Sequence, residues 1–452
     1  MEREPQFELQ TQPQQQSGPS KRTVSLAIAI ILLIVGIGAG TAIGYFGVSR
    51  LTGNSALCTS GQTLTIGELL DLSQDLSSQG KRAQASSKLA IQDINSFLSG
   101  TGCSLRFTNA VSDYALNNDQ AQTALSNFAA SGVQVVVGPL NSGTAQFILG
   151  YANSHKIVLI SPSSTAPQLA IPNDYLFRTV PNDANQGHAD ARMMLDRGAQ
   201  ALIIVARQDT YGTGLANATS SFFTYLGGSS VKVIDTIFYP TDTTDFSTYL
   251  STLNTDFNNN VGTYGAGHIA IDVIAFEEFG SFILKAQSSY NTAFPWSTLP
   301  WFGTDGEAQD SVIVNATYGG AVSQVKLPST LYAQSDNSKT LALIDAFKAA
   351  DPSLICDSYC LGAYDDMWLA ALATLQAGVN DGAKIQAAML TVAQNYFGVQ
   401  GWDGMQASGD LIPSSYQIWK VVSSNWVFAG TWTPALPTAA QNTDTLSWTS
   451  PP

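Results

Sequence analysis

From Gln62 almost to the end of the chain, apolar runs of strand length alternate with stretches of helical period. Runs rich in Val, Ile and Leu fall near residues 63–70, 104–110, 133–138 and 157–160. A second series follows near 200–206, 231–238, 269–275 and 299–303. Between them apolar positions recur every three or four residues, as in Ala83 to Phe97, Asp119 to Ala130, Gly214 to Tyr225 and Phe246 to Phe257. Strands apolar throughout are buried on both faces, and connections of helix length join parallel neighbours. The pattern predicts an α/β protein with two doubly wound, Rossmann-like lobes. Later come the helical stretches Lys339 to Ala349 and Tyr364 to Gly378, then the strands Tyr416 to Val421 and Trp426 to Phe428.

The ends read differently. Residues 23–49 carry no charge, include LAIAIILLIVGIGAG and lie between Lys21-Arg22 and Arg50. A run of about 20 apolar residues spans a bilayer. Flanking cations stay on the cytoplasmic side, so a single transmembrane anchor over 23–49 would place residues 51–452 outside the cell. A cleaved signal segment, cut near Gly40-Thr41-Ala42, is the alternative. The Gln/Pro-rich tail over residues 1–22 has too few apolar positions to fold. Residues 433–452 are rich in Pro, Thr and Ser and predict an extended, loosely attached tail.

Formal net charge is −14 with only 12% charged residues. Without a basic face, nucleic acid is excluded as a partner. The four cysteines suit an oxidising exterior. Cys58 precedes the first strand and Cys103 the second, and adjacent parallel strands bring such starts together, so these two predict one disulfide. Cys356 and Cys360, in CDSYC, predict the other. Three histidines, none near a cysteine in sequence, give no zinc pattern, and no metal or cofactor is expected. Asn217-Ala218-Thr219 and Asn315-Ala316-Thr317 are acceptor sequons for N-glycosylation.

The segment from Val133 to Val180 carries the most chemistry. An apolar strand runs into Gly138-Pro139, and Asn141-Ser142-Gly143-Thr144 then opens a helical pattern. A second strand, Ile157 to Ile160, runs into Ser161-Pro162-Ser163-Ser164-Thr165. In a parallel sheet the carboxyl edge is where ligands sit, and helix starts there offer unpaired N–H donors to an anion such as a carboxylate. The ordered set Val137-Gly138-Pro139, Ser142-Gly143, Ile160 to Thr165 and Phe177-Arg178-Thr179 resembles the type I periplasmic-binding-protein family, in particular the amino-acid and amide receptors of ABC importers. The resemblance covers roughly Thr63 to Trp432. It implies two lobes joined by three crossings, with residues 58–178 and 326–399 in one and 179–325 and 400–432 in the other.

It also implies a site. The ligand carboxylate would meet Ser142, Ser163 and Thr165, though Ser142 and Thr165 could equally cap helices. The turn Asp209-Thr210-Tyr211-Gly212-Thr213-Gly214 is similar to the family's (D/N)xxYGxG turn, which places Tyr211 in the cleft. Asp305, in Thr304-Asp305-Gly306 after a strand, stands where an acidic residue receives the ligand ammonium, since a desolvated ammonium needs an anionic partner. The family's cleft aromatic near residue 275 is replaced by Ala275 beside Phe276. Gln79 stands where a tyrosine often occurs, and Tyr359 adds a wall. No nucleophile–base pair, GxSxG elbow or Walker loop is present, so no enzyme is predicted. The implied function is an extracellular solute-binding protein that passes an amino acid or small amide to an ABC permease. A ligand-sensing ectodomain, or a surface structural protein reusing the fold, are the alternatives.

Overall fold

A computed structural model of the chain describes residues 56–289, 295–333, 335–435 and 444–452. The expected cytoplasmic tail (1–22) and membrane anchor (23–49) lie outside the described residues. Among those described, no helix is long and apolar enough to cross a membrane.

The first lobe begins with β1 (Thr63–Leu70), α1 (Ser77–Gly100), β2 (Arg106–Asp113), α2 (Asn118–Ala130), β3 (Val135–Val137), α3 (Ser142–His155), β4 (Val158–Ser161) and β5 (Leu176–Arg178). The strands form a wholly parallel sheet in the order β2-β1-β3-β4-β5. Successive residues point to opposite faces. Val135 and Val137 therefore enter a core shared with Ala90, Ile94 and Leu98 of α1. Val136 enters the opposite core, with Leu125 and Phe128 of α2 and Ile148 of α3. Both faces are covered, which is why β3 is apolar at every position.

The second lobe repeats the scheme with α4 (Asp183–Asp196), β6 (Ala201–Arg207), α5 (Thr210–Gly227), β7 (Lys232–Tyr239), α6 (Ser247–Tyr264), β8 (Ile269–Ile274), α7 (Phe279–Ser289) and β9 (Trp301–Phe302). Its parallel sheet runs β7-β6-β8-β9. After α8 (Gly319–Val325), β10 (Ser329–Tyr332) meets the end of β9 through a bridge between Gly303 and Ser329. The helices α9 (Ser338–Ala350), α10 (Ser358–Ala377) and α11 (Gly382–Asn395) then return to the first lobe, where Leu343, Leu369, Ile385 and Met389 join the core of α1. The chain ends in β11 (Tyr416–Val422), β12 (Asn425–Thr433) and β13 (Thr445–Trp448), antiparallel in the order β10-β11-β12-β13.

Three positions differ from the sequence expectation. Because β10 pairs with β11 and adjoins Gly303, residues 326–332 sit with the second lobe, and the return crossing follows Tyr332. Residues 400–411 sit with the first lobe rather than the second. Asp410 bridges Arg178 beside β5, and the N–H of Leu411 donates to the Arg178 carbonyl at 2.9 Å. The last crossing therefore lies within 412–415. The C-terminal residues are not loosely attached: β13 pairs with β12, and the Trp448 indole N–H donates to Asp196 at 2.6 Å. Arg197 holds the Pro452 carbonyl at 2.8 Å. Both expected disulfides form: Cys58–Cys103, with Cα atoms 4.5 Å apart, and Cys356–Cys360 at the start of α10.

Candidate functional site

The carboxyl ends of β3 and β4 are tied into one platform by hydroxyl groups. Gly138 takes φ +104°, and a Cβ there would lie 2.1 Å from the Leu69 carbonyl, so the turn after β3 requires glycine. The Ser161 hydroxyl donates to the Pro139 carbonyl at 2.6 Å and accepts from the Ser164 N–H at 3.0 Å. Ser163 donates to the Leu140 carbonyl at 2.8 Å. Ser142, at the start of α3, accepts from the N–H groups of Thr165 and Ala166 at 3.0 and 3.1 Å. Its own proton is thus left to donate, beside the free backbone donors of a helix start. Arg178 clamps the platform from below: one guanidinium nitrogen reaches the Ser164 and Ala166 carbonyls at 3.0 and 2.9 Å, and another pairs with Asp410 at 2.6 Å.

Facing this platform, the second lobe presents Tyr211 and Asp305. Asp209 caps α5 by accepting the Gly212 N–H at 2.8 Å, which sets Tyr211 in the first turn. The Tyr211 ring stacks on Phe276 with centroids 5.3 Å apart, and the Arg207 guanidinium lies 3.6 Å from the Phe276 centroid on its way to Asp209 and Glu278. Buried Glu307 accepts N–H bonds from Thr304 and Ala275 at 2.9 and 2.8 Å, locking together the turns after β9 and β8. Between them a Cβ at Gly306 would sit 2.1 Å from the Ala275 carbonyl.

Asp305 is the centre of the arrangement. One carboxylate oxygen accepts from the Tyr211 hydroxyl at 2.6 Å and from the Gln186 amide at 2.9 Å; the other accepts from the Tyr359 hydroxyl. Tyr359 belongs to α10 of the first lobe, so that last bond spans the cleft. Burial pushes the Asp305 carboxyl up from its ordinary range while these three donors pull it back. Asp183, fully buried nearby, is held well above the usual carboxylate range by burial and by the Asp305 charge. Tyr211 and Tyr359 are pushed upward by burial and by Asp305, so both remain protonated donors.

The platform and Asp305 enclose a small cavity of about 10 Å³, room for about one water, so the closed cleft must open to admit a ligand. Seven of the eight residues expected in the site line it: Ser142, Ser163, Tyr211, Asp305, Phe276, Tyr359 and Gln79. Thr165 does not. It sits behind Ser142, 3% exposed, with its N–H given to that serine and its carbonyl to the Asp183 N–H. Sequence reasoning missed Leu76, Leu140 and Asn141 as lining residues, and Gln186 as a ligand of Asp305. Leu140 and Asn141 lie inside the quoted platform motif and were within reach; Gln186 lies in α4 with no motif to mark it. Among the described residues no cluster of His, Cys, Asp and Glu could hold a metal ion. His188 stacks on Phe222 and lies 3.5 Å from Asp444, away from the cavity. Both sequon asparagines, Asn217 and Asn315, are exposed.

The rims of the lobes are in contact. Glu277 of the second lobe accepts from the Ser78 N–H at 2.7 Å, at the start of α1. Ser78 and Ser311 share a hydroxyl bond of 2.9 Å, and Arg82, paired with Asp357 at 3.2 Å, donates to the Gln309 carbonyl at 2.8 Å. On the opposite rim Thr210 donates to Gln146. The cleft is shut.

Comparisons with known proteins agree with this geometry. The family described as "Periplasmic binding protein" matches residues 63–410. An uncharacterized protein of Methanocaldococcus jannaschii is 28% identical over 390 residues, covering 82% of this chain and 89% of its own. The Leu/Ile/Val-binding protein of Escherichia coli K12 is 27% identical over 332 residues, covering 72% of this chain and 81% of its own. The crystal structure of a leucine-binding protein from Thermotoga maritima superposes with a TM-score of 0.69 at 20% identity, covering 82% of this chain and 99% of that one. With the family match spanning most of the chain and the two-sheet cleft in place, the chain belongs to the periplasmic binding protein family, whose members bind substrates rather than transform them.

Proposed function

We propose that this protein captures an amino acid, or a closely related small amide, in the cleft between its lobes and presents it to an ABC permease from the outer face of the membrane. Residues 23–49 serve as its tether. The ligand carboxylate sits on the platform, with Ser142 donating directly and the start of α3 adding a favourable field. Ser163 and Thr165 shape that platform, Thr165 from behind. Asp305 receives the ammonium, and Tyr211, Phe276, Tyr359 and Gln79 wall the remainder. Rotation about the three crossings opens and closes the cleft, and the closed rims form the surface a permease reads. The observation that carries this reading is Asp305: a buried carboxylate facing a donor platform across a closable gap, with hydroxyl and amide donors but, among the described residues, no cation bonded to it.

The test is calorimetric titration of Asp305→Asn against an amino acid that binds the parent protein. Removing one partner of a desolvated charge pair costs about 2–5 kcal/mol, so affinity should fall at least about thirtyfold. A neutral amide lacking the ammonium should lose far less. Equal losses for both would contradict the assignment of Asp305.

A further inference from the structure

Resting on the amino-acid reading above, we infer that the ligand's own side chain is uncharged and polar, and that it exchanges a hydrogen bond with the Gln79 amide. Gln79 lies in the first turn of α1, is 6% exposed and lines the cavity, and its amide nitrogen has no hydrogen-bond partner among the described residues. A buried amide without a partner is costly, so a site that keeps one favours a ligand that supplies it.

Gln79 cannot withdraw. The Asp71 carboxylate accepts the N–H groups of Gln74 and Leu76 at 3.1 and 2.8 Å, which fixes the loop ahead of α1. A Cβ at the next residue, Gly80, would lie 1.6 Å from the Asp71 carbonyl, so the helix start is seated directly on that loop. Asn141, 8% exposed on the same cavity, has its side-chain oxygen occupied by the Tyr114 hydroxyl at 2.6 Å. Its amino end is what it has left to offer. Two carboxamides thus stand among the lining residues beside the apolar Leu76 and Leu140.

Charge narrows the class further. Among the described residues no Lys or Arg lines the cavity, so an anionic side chain finds no counter-ion there. Asp305 is the one carboxylate among the lining residues and is committed to the ammonium, so a cationic side chain finds none either. A branched aliphatic side chain would leave the Gln79 amide unpaired. A carboxamide both donates and accepts, so it answers to a ligand amide or hydroxyl: the chemistry of asparagine, glutamine, serine and threonine.

The experiment is calorimetric titration of the full-length protein with those four amino acids and, separately, with leucine, isoleucine and valine. The best polar ligand should bind about tenfold or more tighter than the best aliphatic one, because buried polar groups reject ligands that leave them unpaired. Gln79→Leu should abolish or invert that ratio, and Gln79→Ala, less demanding of space, should bring the two sets to within about threefold. An aliphatic preference in the parent protein, or a ratio unmoved in both variants, would overturn this inference while leaving the amino-acid reading intact. Binding of neither set by folded protein would overturn this inference, and binding of none of the twenty amino acids nor of a small amide would overturn the amino-acid reading as well.

Discussion

At the scale of single residues, the notable economy is at Asp305, where donors from both lobes meet one carboxylate. Tyr211 and Gln186 belong to the second lobe with Asp305, whereas Tyr359 reaches it across the cleft from the first lobe. Tyr359 therefore offers Asp305 a donor of the kind that a ligand ammonium would also supply. Tyr359→Phe should destabilise the ligand-free protein by about 1.5–3 kcal/mol, the worth of a hydrogen bond to a charged group. With ligand at saturation the loss should shrink, because the ammonium supplies the missing donor. Thermal melts of both proteins with and without ligand check this; the same loss under both conditions would mean that Tyr359 and the ligand do not share the carboxylate.

At the scale of elements, the short disulfide Cys356–Cys360 brackets Tyr359 at the start of α10, and Asp357 between them caps the helix through the Cys360 N–H at 2.9 Å. The bridge closes only a few residues, so chain entropy gives it about 2 kcal/mol, against about 4 for Cys58–Cys103 with its separation of 45 residues. Their functional weights should be reversed. Replacing Cys356 and Cys360 by serine should weaken ligand binding several-fold at modest cost in urea stability. The Cys58 and Cys103 pair of substitutions should cost more stability and leave affinity unchanged. Elements were legible in the sequence wherever burial on both sheet faces wrote a mostly apolar run, as in β3, β4, β6 and β8, the last interrupted only by Asp272. The platform was legible because hydroxyls and glycine must follow such strands if a ligand is to approach backbone. What escaped was held by contacts far apart in the sequence. β13, with alternating half-exposed and exposed residues, is a strand because β12 offers it a free edge, and any sequence can make those bonds. The 409–411 segment beside β5 is placed by the Arg178–Asp410 pair, a contact across 232 residues that no local pattern announces. Gln186 escaped for the same reason: its partner lies 119 residues away.

At the scale of the whole molecule, buried carboxyls outnumber the cations that could neutralise them. Burial pushes Glu68 up to about 7 and Asp75 and Asp174 up to about 6, and it holds Asp183, Asp190, Glu307 and Asp366 well above the ordinary range. Each such group binds its proton more tightly folded than unfolded. Between the ordinary carboxylate range, about 4, and the raised values near 6 to 7, the native state carries more protons than the unfolded chain, so stability falls as pH rises through that window. The net charge of −14 adds self-repulsion in the same direction. The melting temperature should therefore be highest near pH 5 and drop by several degrees toward pH 8, opposite to a protein whose carboxylates are ion-paired. Glu68 isolates the effect. It is fully buried on β1 and receives the Asn109 amide. Glutamine there has nearly the same shape but no charge to bury, so Glu68→Gln should match the parent protein near pH 5, where the parent glutamate is largely protonated. At pH 8 it should be more stable by about 2 kcal/mol, since the unfolded variant no longer gains from ionising. Urea titrations at the two pH values decide the matter: an offset that stays constant with pH would assign the change to packing, and a variant less stable at pH 8 would show that the carboxylate is favoured where it stands.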